Sequence, residues 1–300
     1  VVDEAIENQC NLIVSFHPII FKGLKKITGN TYVERVLIKA IEHKIAIYAI
    51  HTALDNAFEG SNAGLCDLLG LKNKAILIPQ VGTIKQLTTY VPEQHADAVR
   101  TALFESGAGS IGNYTDCSFN SAGTGTYKGN EHSNPVIGAK HVLQKVSEIK
   151  ITVSFAKHLE NNILKTLFSS HPNEEVAYEV VTLENKNQHI GMGMVGQLEQ
   201  PMDETSFIDF IKTRLNCTLI RHSEFLETPI QKVAVLGGSG SFAIEAAKAA
   251  GADAFITADL KYHDFFSAEN SILLADIGHY ESEQHIKNIL VAHLKKKITN

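Results

Sequence analysis

Two residues near the end of the chain, His279 and Glu283, stand four apart in Gly278-His279-Tyr280-Glu281-Ser282-Glu283. Positions i and i+4 share one face of a helix, so an imidazole nitrogen and a carboxylate oxygen can converge there on one cation. The apolar run Ile272-Leu273-Leu274-Ala275 before them reads as a buried strand and Gly278 as the turn. Gln284 to Leu294 then reads as a helix with Ile286, Ile289, Leu290 and Leu294 inward. Spacing alone leaves a second reading open, in which Glu281 and Glu283 merely complement the macrodipole of a solvated helix start.

Other residues able to bind a cation also follow apolar runs. His17 comes after Asn11 to Ser15, and Pro18 bars the regular continuation of that strand inside a sheet. His51 and Asp55 follow Ile45 to Ile50, whose unbroken hydrophobicity predicts a strand covered on both faces, as in parallel α/β sheets. Ligands of such sheets collect beyond the carboxyl ends of the strands. One parallel sheet is therefore expected to bring His17, Asp55, His279 and Glu283 to a common rim as a metal site. Nitrogen and oxygen donors without a thiolate suit zinc, iron, manganese or nickel rather than copper(I) or an iron–sulfur cluster. Asp259, Lys261 and His263 follow another apolar strand, Ala254 to Thr257, and individually read as caps or surface residues. The turn Gly237-Gly238-Ser239-Gly240-Ser241 either binds phosphate at a helix start or is a tight structural turn with Ser241 near the N-cap. It lacks the spacings of the dinucleotide and P-loop motifs.

The elements that must position these residues alternate between strand and helix. Helices are predicted over Tyr32 to His43 and Ser61 to Leu69. From about Ile76 the texture changes. Strands at Ala75 to Pro79 and Gln86 to Val91, a helix from Pro92 to Gly107, a strand at Glu148 to Phe155, a helix at Lys157 to Phe168 and a strand at Glu175 to Leu183 give βαβ-βαβ order. That is the ferredoxin-like pattern of small α+β domains, and it reads as an insert. Within it, Gly107, Gly109, Gly112, Gly123, Gly125 and Gly129 punctuate a Gly, Ser, Thr and Asn-rich stretch from Gly107 to Gly138, read as turns in preference to an anion cradle. After about Gly191 the parallel texture resumes, with helices at Met202 to Leu215, Ser241 to Ala250 and Leu260 to Ser267, and a strand at Lys232 to Leu236. The predicted fold class is α/β: a metal-binding domain in two parts, 1–79 and 189–300, interrupted by an α+β insert over 80–188.

Composition bounds the function. The chain has 300 residues, 44% hydrophobic and 20% charged, which suits two domains with ample core. A net charge of -6 leaves no basic footprint, so duplex nucleic acid is not an expected partner. Cys10, Cys66, Cys117 and Cys217 form no Cys-x-x-Cys pair and fit buried thiols in a reducing compartment. With no apolar run near the roughly 18 residues of a membrane span and no signal peptide, a cytoplasmic protein is expected. The chain opens without Met inside an amphipathic helix formed by Val1, Val2, Ala5 and Ile6, so a trimmed chain is expected too.

Phe16-His17-Pro18-Ile19-Ile20-Phe21-Lys22-Gly23, His51-Thr52-Ala53-Leu54-Asp55, Gly237-Gly238-Ser239-Gly240 and Gly278-His279-Tyr280-Glu281-Ser282-Glu283 occur in this order. As a set they resemble the Nif-three-like family, whose members are called GTP cyclohydrolase 1 type 2 homologues. The middle segment, with Val91-Pro92-Glu93, Gly107-Ala108-Gly109, Ile111-Gly112-Asn113-Tyr114 and His171-Pro172-Asn173-Glu174-Glu175, looks like the P-II-like or CutA-like insert of longer members. The resemblance implies a ring-shaped homohexamer and one or two divalent metal ions per chain, zinc, iron or manganese. His17 matches the second His of the family's His-His-Pro motif, and Asp55, His279 and Glu283 match its remaining ligands. Phe16 stands where the family usually has the first His, and phenylalanine cannot ligate a metal. A dinuclear centre thus loses one ligand: one site is weakened, water or His51 substitutes, or a single ion binds. The activity implied is opening of the guanine imidazole ring of GTP with loss of formate, His263 or His51 shuttling protons. The competing function is a non-catalytic metal-binding regulator whose insert acts as a sensor. A phosphatase or nuclease is less favoured, because no phosphate-clamping Arg sits near the motifs.

Overall fold

The computed structural model describes residues 1–298. Helix α1 (Val2–Glu7) leads into strand β1 (Leu12–Ser15), and α2 (Tyr32–Glu42) into β2 (Ala46–Ala49). The two strands pair in parallel, Leu12 opposite Ala46 and Ser15 opposite Ala49. Both helices cover one face: Ala5, Ala40 and Ile45 are buried there with Val2, Ile6, Ile13 and Ile47 against them. At the start of α2 the Thr31 hydroxyl accepts the Glu34 N–H at 3.2 Å. The Glu34 carboxylate in turn accepts from Thr28 N, Thr28 Oγ1 and Asn30 N at 2.7, 2.6 and 3.1 Å. Those bonds anchor the far end of the irregular segment that begins at His17.

The predicted two-sided burial of Ile45 to Ile50 is not what the structure has. On β1 and β2, Leu12 remains 49% and Tyr48 59% exposed, and the pair forms a two-stranded sheet of its own. The single parallel sheet expected to carry all four ligand candidates is therefore two sheets. An apolar run reports that a strand is hydrophobic, whereas the number of layers that cover it depends on elements remote in the chain.

Next come α3 (Thr52–Asp55), α4 (Ser61–Leu68) and β3 (Lys72–Gln80), followed by β4 (Ile84–Pro92), α5 (Ala96–Glu105), β5 (Phe119–Tyr127), β6 (Gln144–Ala156), α6 (Glu160–Ser170) and β7 (Tyr178–Leu183). The remainder holds β8 (Asn187–Met202), α7 (Glu204–Leu215), β9 (Arg221–His222), β10 (Ile230–Ser239), α8 (Ile244–Ala249), β11 (Ala254–Ala258), β12 (Leu273–Asp276), α9 (His279–Glu283) and α10 (Ile286–Lys297). Helix α7 starts at Glu204, not Met202, because β8 runs on to Met202 and Asp203 caps the helix by accepting the Ser206 N–H at 2.9 Å. The helix predicted at Leu260 to Ser267 is a 3-10 segment, Tyr262–Ala268. Of the thiols expected to be buried, Cys66 and Cys217 are, whereas Cys10 is exposed because the short β1–β2 sheet beside it is covered on one face only.

The chain divides into two compact units, Val1–Pro79 with Gln188–Asn300, and Gln80–Asn187. In the first, a six-stranded sheet has the order β3-β8-β10-β11-β12-β9. Its centre, β10-β11-β12, is parallel, flanked by antiparallel pairings to β8 and β9. Alternation along these strands fills two cores: Val233, Val235, Ile256 and Leu273 pack with Phe207 and Ile211 of α7, while Ala234, Leu236, Phe255 and Leu274 pack with Ile244 and Ala247 of α8. Helices on both faces explain why these strands are continuously apolar.

The second unit runs β-α-β-β-α-β around an antiparallel sheet of order β5-β6-β4-β7. Leu87, Val91, Ile151, Val153 and Phe155 point to one face and pack on Val99, Leu103, Ile163 and Leu167 of α5 and α6. Strand β5 lies inside the stretch read from sequence as turns. Gly123 and Gly125 are strand residues opposite Glu148 and Val146. Glycine content hid this strand, because glycine is depleted in strands unless something approaches the backbone closely.

Candidate functional site

Helix α9 follows β12 directly, and its turn needs Gly278. That residue has φ +89, and a Cβ there would fall 2.4 Å from Glu281 Oε2. His279 and Glu283 lie one turn apart on α9, with His279 Nε2 3.2 Å from Glu283 Oε1. The other carboxylate oxygen, Oε2, lies 2.7 Å from His17 Nε2, which the end of β1 delivers. One donor atom each from His17, His279 and Glu283 falls within 4.8 Å of the others. Glu283 is 13% exposed, whereas His17 and His279 are 45% and 40% exposed, so the carboxylate forms the floor and the imidazoles the rim.

Asp259 holds the second nitrogen of His279, with Oδ2 2.6 Å from Nδ1. An ionised carboxylate only accepts, so Nδ1 carries the proton and Nε2 is left to face Glu283. Burial alone would lower the His279 pKa, but the bond to Asp259 and the charge of Glu283 outweigh it, and the net shift is upward. At 3.2 Å, His279 Nε2 and Glu283 Oε1 are close enough to share a proton or a cation. A divalent ion takes the place of such protons, and a carboxylate behind a ligating imidazole is the usual supporting partner. The residues present thus fit a small divalent cation.

The glycine turn forms part of the floor. Gly238 has φ +69, and a Cβ on it would stand 2.7 Å from Glu283 Oε1 and 3.4 Å from His279 Cε1. Its N–H donates to Ser282 Oγ at 2.9 Å, and Gly237 N–H donates to Asn62 Oδ1 at 2.9 Å. The latent phosphate-loop reading gives way to a close approach of backbone to the carboxylate. Ser282 Oγ donates onward to the His279 carbonyl at 2.8 Å, locking the helix start.

Asp55 does not join the group of three. Its Oδ1 accepts from Ser61 Oγ at 2.5 Å and its backbone carbonyl from Asn62 Nδ2 at 3.2 Å. Burial, aided by the charge of Glu283, pushes its pKa up, so it neighbours the cluster electrostatically without closing it. His51 has its ring centroid 5.3 Å from that of His17, with Phe16 and Phe21 edge-on at 5.8 and 5.5 Å. Its φ of +39 is an unusual value for a residue with a side chain. Phe16 packs against His17 at 4.9 Å. His263 is exposed on the 3-10 segment and makes ring contacts with Tyr262 and Phe266. Sequence reasoning missed the roles of Asp259, Ser61, Asn62 and Ser282. Only Asp259 carried a signal, its place just beyond β11, and nothing local linked it to His279.

A family model described as Duf34/NIF3 (NGG1p interacting factor 3) matches residues 1–300. The chain belongs to the DUF34/NIF3 family. This DUF34/NIF3 chain is 39% identical over 300 residues to a GTP cyclohydrolase 1 type 2 homolog of Halalkalibacterium halodurans, covering 99% of itself and 79% of the relative. It is 38% identical over 285 residues to the Bacillus subtilis homolog, with 93% and 76% covered. Among solved structures it resembles a Bacillus cereus protein related to NIF3, with a TM-score of 0.82, 36% identity, and coverage of 99% and 80%. Among its described residues no helix is long and apolar enough to cross a membrane.

Proposed function

We propose that His17, His279 and Glu283 hold a divalent metal ion, zinc, iron or manganese, and that a purine nucleotide is hydrolysed beside it. The observation that carries this reading is the shared carboxylate, Oε2 at 2.7 Å from His17 Nε2 and Oε1 at 3.2 Å from His279 Nε2. Two imidazoles and a carboxylate suit these metals, with coordination positions left for water and substrate. The relatives' names, GTP cyclohydrolase 1 type 2 homolog, support GTP as the substrate, and ring opening with formate release is the reaction this reading assigns. A divalent ion bound there supplies Lewis acidity and makes a nearby water more acidic.

The chain's own groups do the rest. Asp259 fixes the tautomer and ring plane of His279. Asp55, held by Ser61, keeps a second carboxylate beside the cluster. His51 is the proton carrier in this reading, since its ring neighbours His17, whereas His263 contacts aromatic side chains on another segment. Phe16 and Phe21 stand edge-on to His51 and hold its ring in place.

A second reading, a metal-binding regulator without turnover, draws on Phe16, an apolar ring packed against both His17 and His51. The β-α-β-β-α-β order of the Gln80–Asn187 unit supports a P-II-like or CutA-like sensor in either case. The assembly proposed is the homohexamer, which analytical ultracentrifugation would test.

The deciding experiment loads the protein with zinc, iron(II) or manganese and follows formate and phosphate release from GTP in parallel, with His279→Ala as control. Formate that disappears in the variant supports the enzyme. Bound metal without turnover supports the regulator. Failure of the loaded wild type to retain metal overturns both.

A further inference from the structure

The Gln80–Asn187 unit has a cavity of about 910 Å³ of its own. It lies on the sheet face opposite α5 and α6, because Ile149, Ile151 and Val153 point to the helices and Glu148 and Lys150 therefore point away. In register across the sheet, Ser121, Lys150 and Tyr90 form one row, and Gly123 and Glu148 belong to the next. A bare sheet face would be flat. Here it is roofed by the chain after β5, pinned by Tyr127 Oη donating to the Ile137 carbonyl at 2.6 Å, His141 N to the Gly129 carbonyl at 2.8 Å, and Asn134 N to Glu174 Oε1 at 2.6 Å.

Two features of the lining point to a ligand. Glu148 is half-buried, yet its carboxylate makes no hydrogen bond or ion pair among the described residues; burial alone pushes its pKa up. Its carboxylate lies over Gly125, where an added Cβ would come within 2.0 Å of Oε2. Beside it, Gly123 has nothing within 4 Å of an added Cβ, which leaves a flat, open floor on the strand. Lys150 on the same face and Lys128 on the roof supply positive charge that does not reach Glu148.

An ionised carboxylate only accepts hydrogen bonds, and its two oxygens are best met by a parallel pair of N–H groups. Among nucleobases guanine presents that pair, at N1 and the exocyclic amine, whereas adenine sets an acceptor beside its amine. The cavity is near the upper end of the range for small-molecule sites, with room for a nucleotide and far more than an amino acid would fill. We propose that this cavity binds a guanine nucleotide, with the base edge on Glu148, the ring over Gly123, and the phosphates toward Lys150 and Lys128. The site is distinct from the His17–His279–Glu283 cluster and does not depend on it.

Binding of GTP, ITP and ATP to the full chain is measured by calorimetry with EDTA present, so that the result stands whether or not the cluster binds metal. GTP binds, and ITP, which lacks the exocyclic amine, binds about ten-fold more weakly or worse. Glu148→Gln weakens GTP about ten- to a hundred-fold, and Gly125→Ala, which displaces the carboxylate without touching its charge, weakens it as well. Glu283→Ala leaves this metal-independent binding unchanged. Equal affinity for GTP and ATP, no binding of GTP, unchanged binding in Glu148→Gln, or loss of binding in Glu283→Ala each overturns the proposal.

Discussion

Asp259 Oδ2 sits 2.6 Å from His279 Nδ1, and this contact decides which nitrogen of His279 faces the cluster. Asp259 is about half exposed and has φ +58, so the contact is held in a left-handed turn after β11. Asp259→Asn keeps the shape and removes the charge that favours a ligating imidazole. It should weaken zinc binding about ten- to a hundred-fold, as changes behind a ligating histidine do, with little effect on folding. Competition titration against a chromophoric chelator measures this, and an unchanged affinity would remove Asp259 from the site.

In the proposed metal site, Phe16 occupies a position where a further imidazole would add a donor. Its ring packs edge-on at 4.9 Å from His17 and 5.8 Å from His51. Phe16→His should raise the metal content from about one toward two equivalents per chain, read by elemental analysis after dialysis, since it adds an imidazole donor next to the existing cluster. A content that stays at one would show that the second ion needs more than this ligand.

Glu34 sets an acid limit on the segment between His17 and α2. Bonds from the Thr28 hydroxyl and from the backbone of Thr28 and Asn30 hold its pKa at about 2 against an ordinary 4.5. A depressed carboxylate stabilises the fold fully above its unfolded pKa, and that contribution drains away as pH falls through the folded value. The stability difference between wild type and Glu34→Gln should therefore be constant above pH 5 and shrink steadily between about 4.5 and 2. Urea unfolding across that range checks it; a difference independent of pH would refute the linkage.

His51 carries φ +39 with ψ -131, a conformation that suits glycine. His51→Gly should relieve about 1 kcal/mol or more of backbone strain and so raise or hold the melting temperature, while removing the proposed proton carrier. A clear loss of stability would mean that its contacts with His17, Phe16 and Phe21 outweigh the strain.

Leu167 is fully buried in the core of the Gln80–Asn187 unit. Leu167→Ala should cost about 2–5 kcal/mol in that unit, while zinc binding at His17, His279 and Glu283, all in the other unit, persists. Parallel loss of metal on mild denaturation would show the two to be one cooperative body.

The sequence by itself determined the local features. Apolar runs marked β10, β11 and β12, Gly278 marked the turn before α9, and the four-residue spacing of His279 and Glu283 set them on one helix face. Ordered motifs identified the family. Each strand, turn and single motif is a short-range property, written in periodicity and turn chemistry over fewer than a dozen residues, and the family needed only the order of such motifs along the chain. Tertiary structure alone decided the rest. It placed His17 against Glu283 across 266 positions of chain, engaged Asp55 with Ser61, set Asp259 behind His279, and brought Gly238 beneath the carboxylate. It also separated β1 and β2 from the six-stranded sheet and drew a glycine-rich stretch into β5. These outcomes depend on which distant surfaces compete for the same apolar face or the same unpaired polar atom, and no window of sequence contains both competitors.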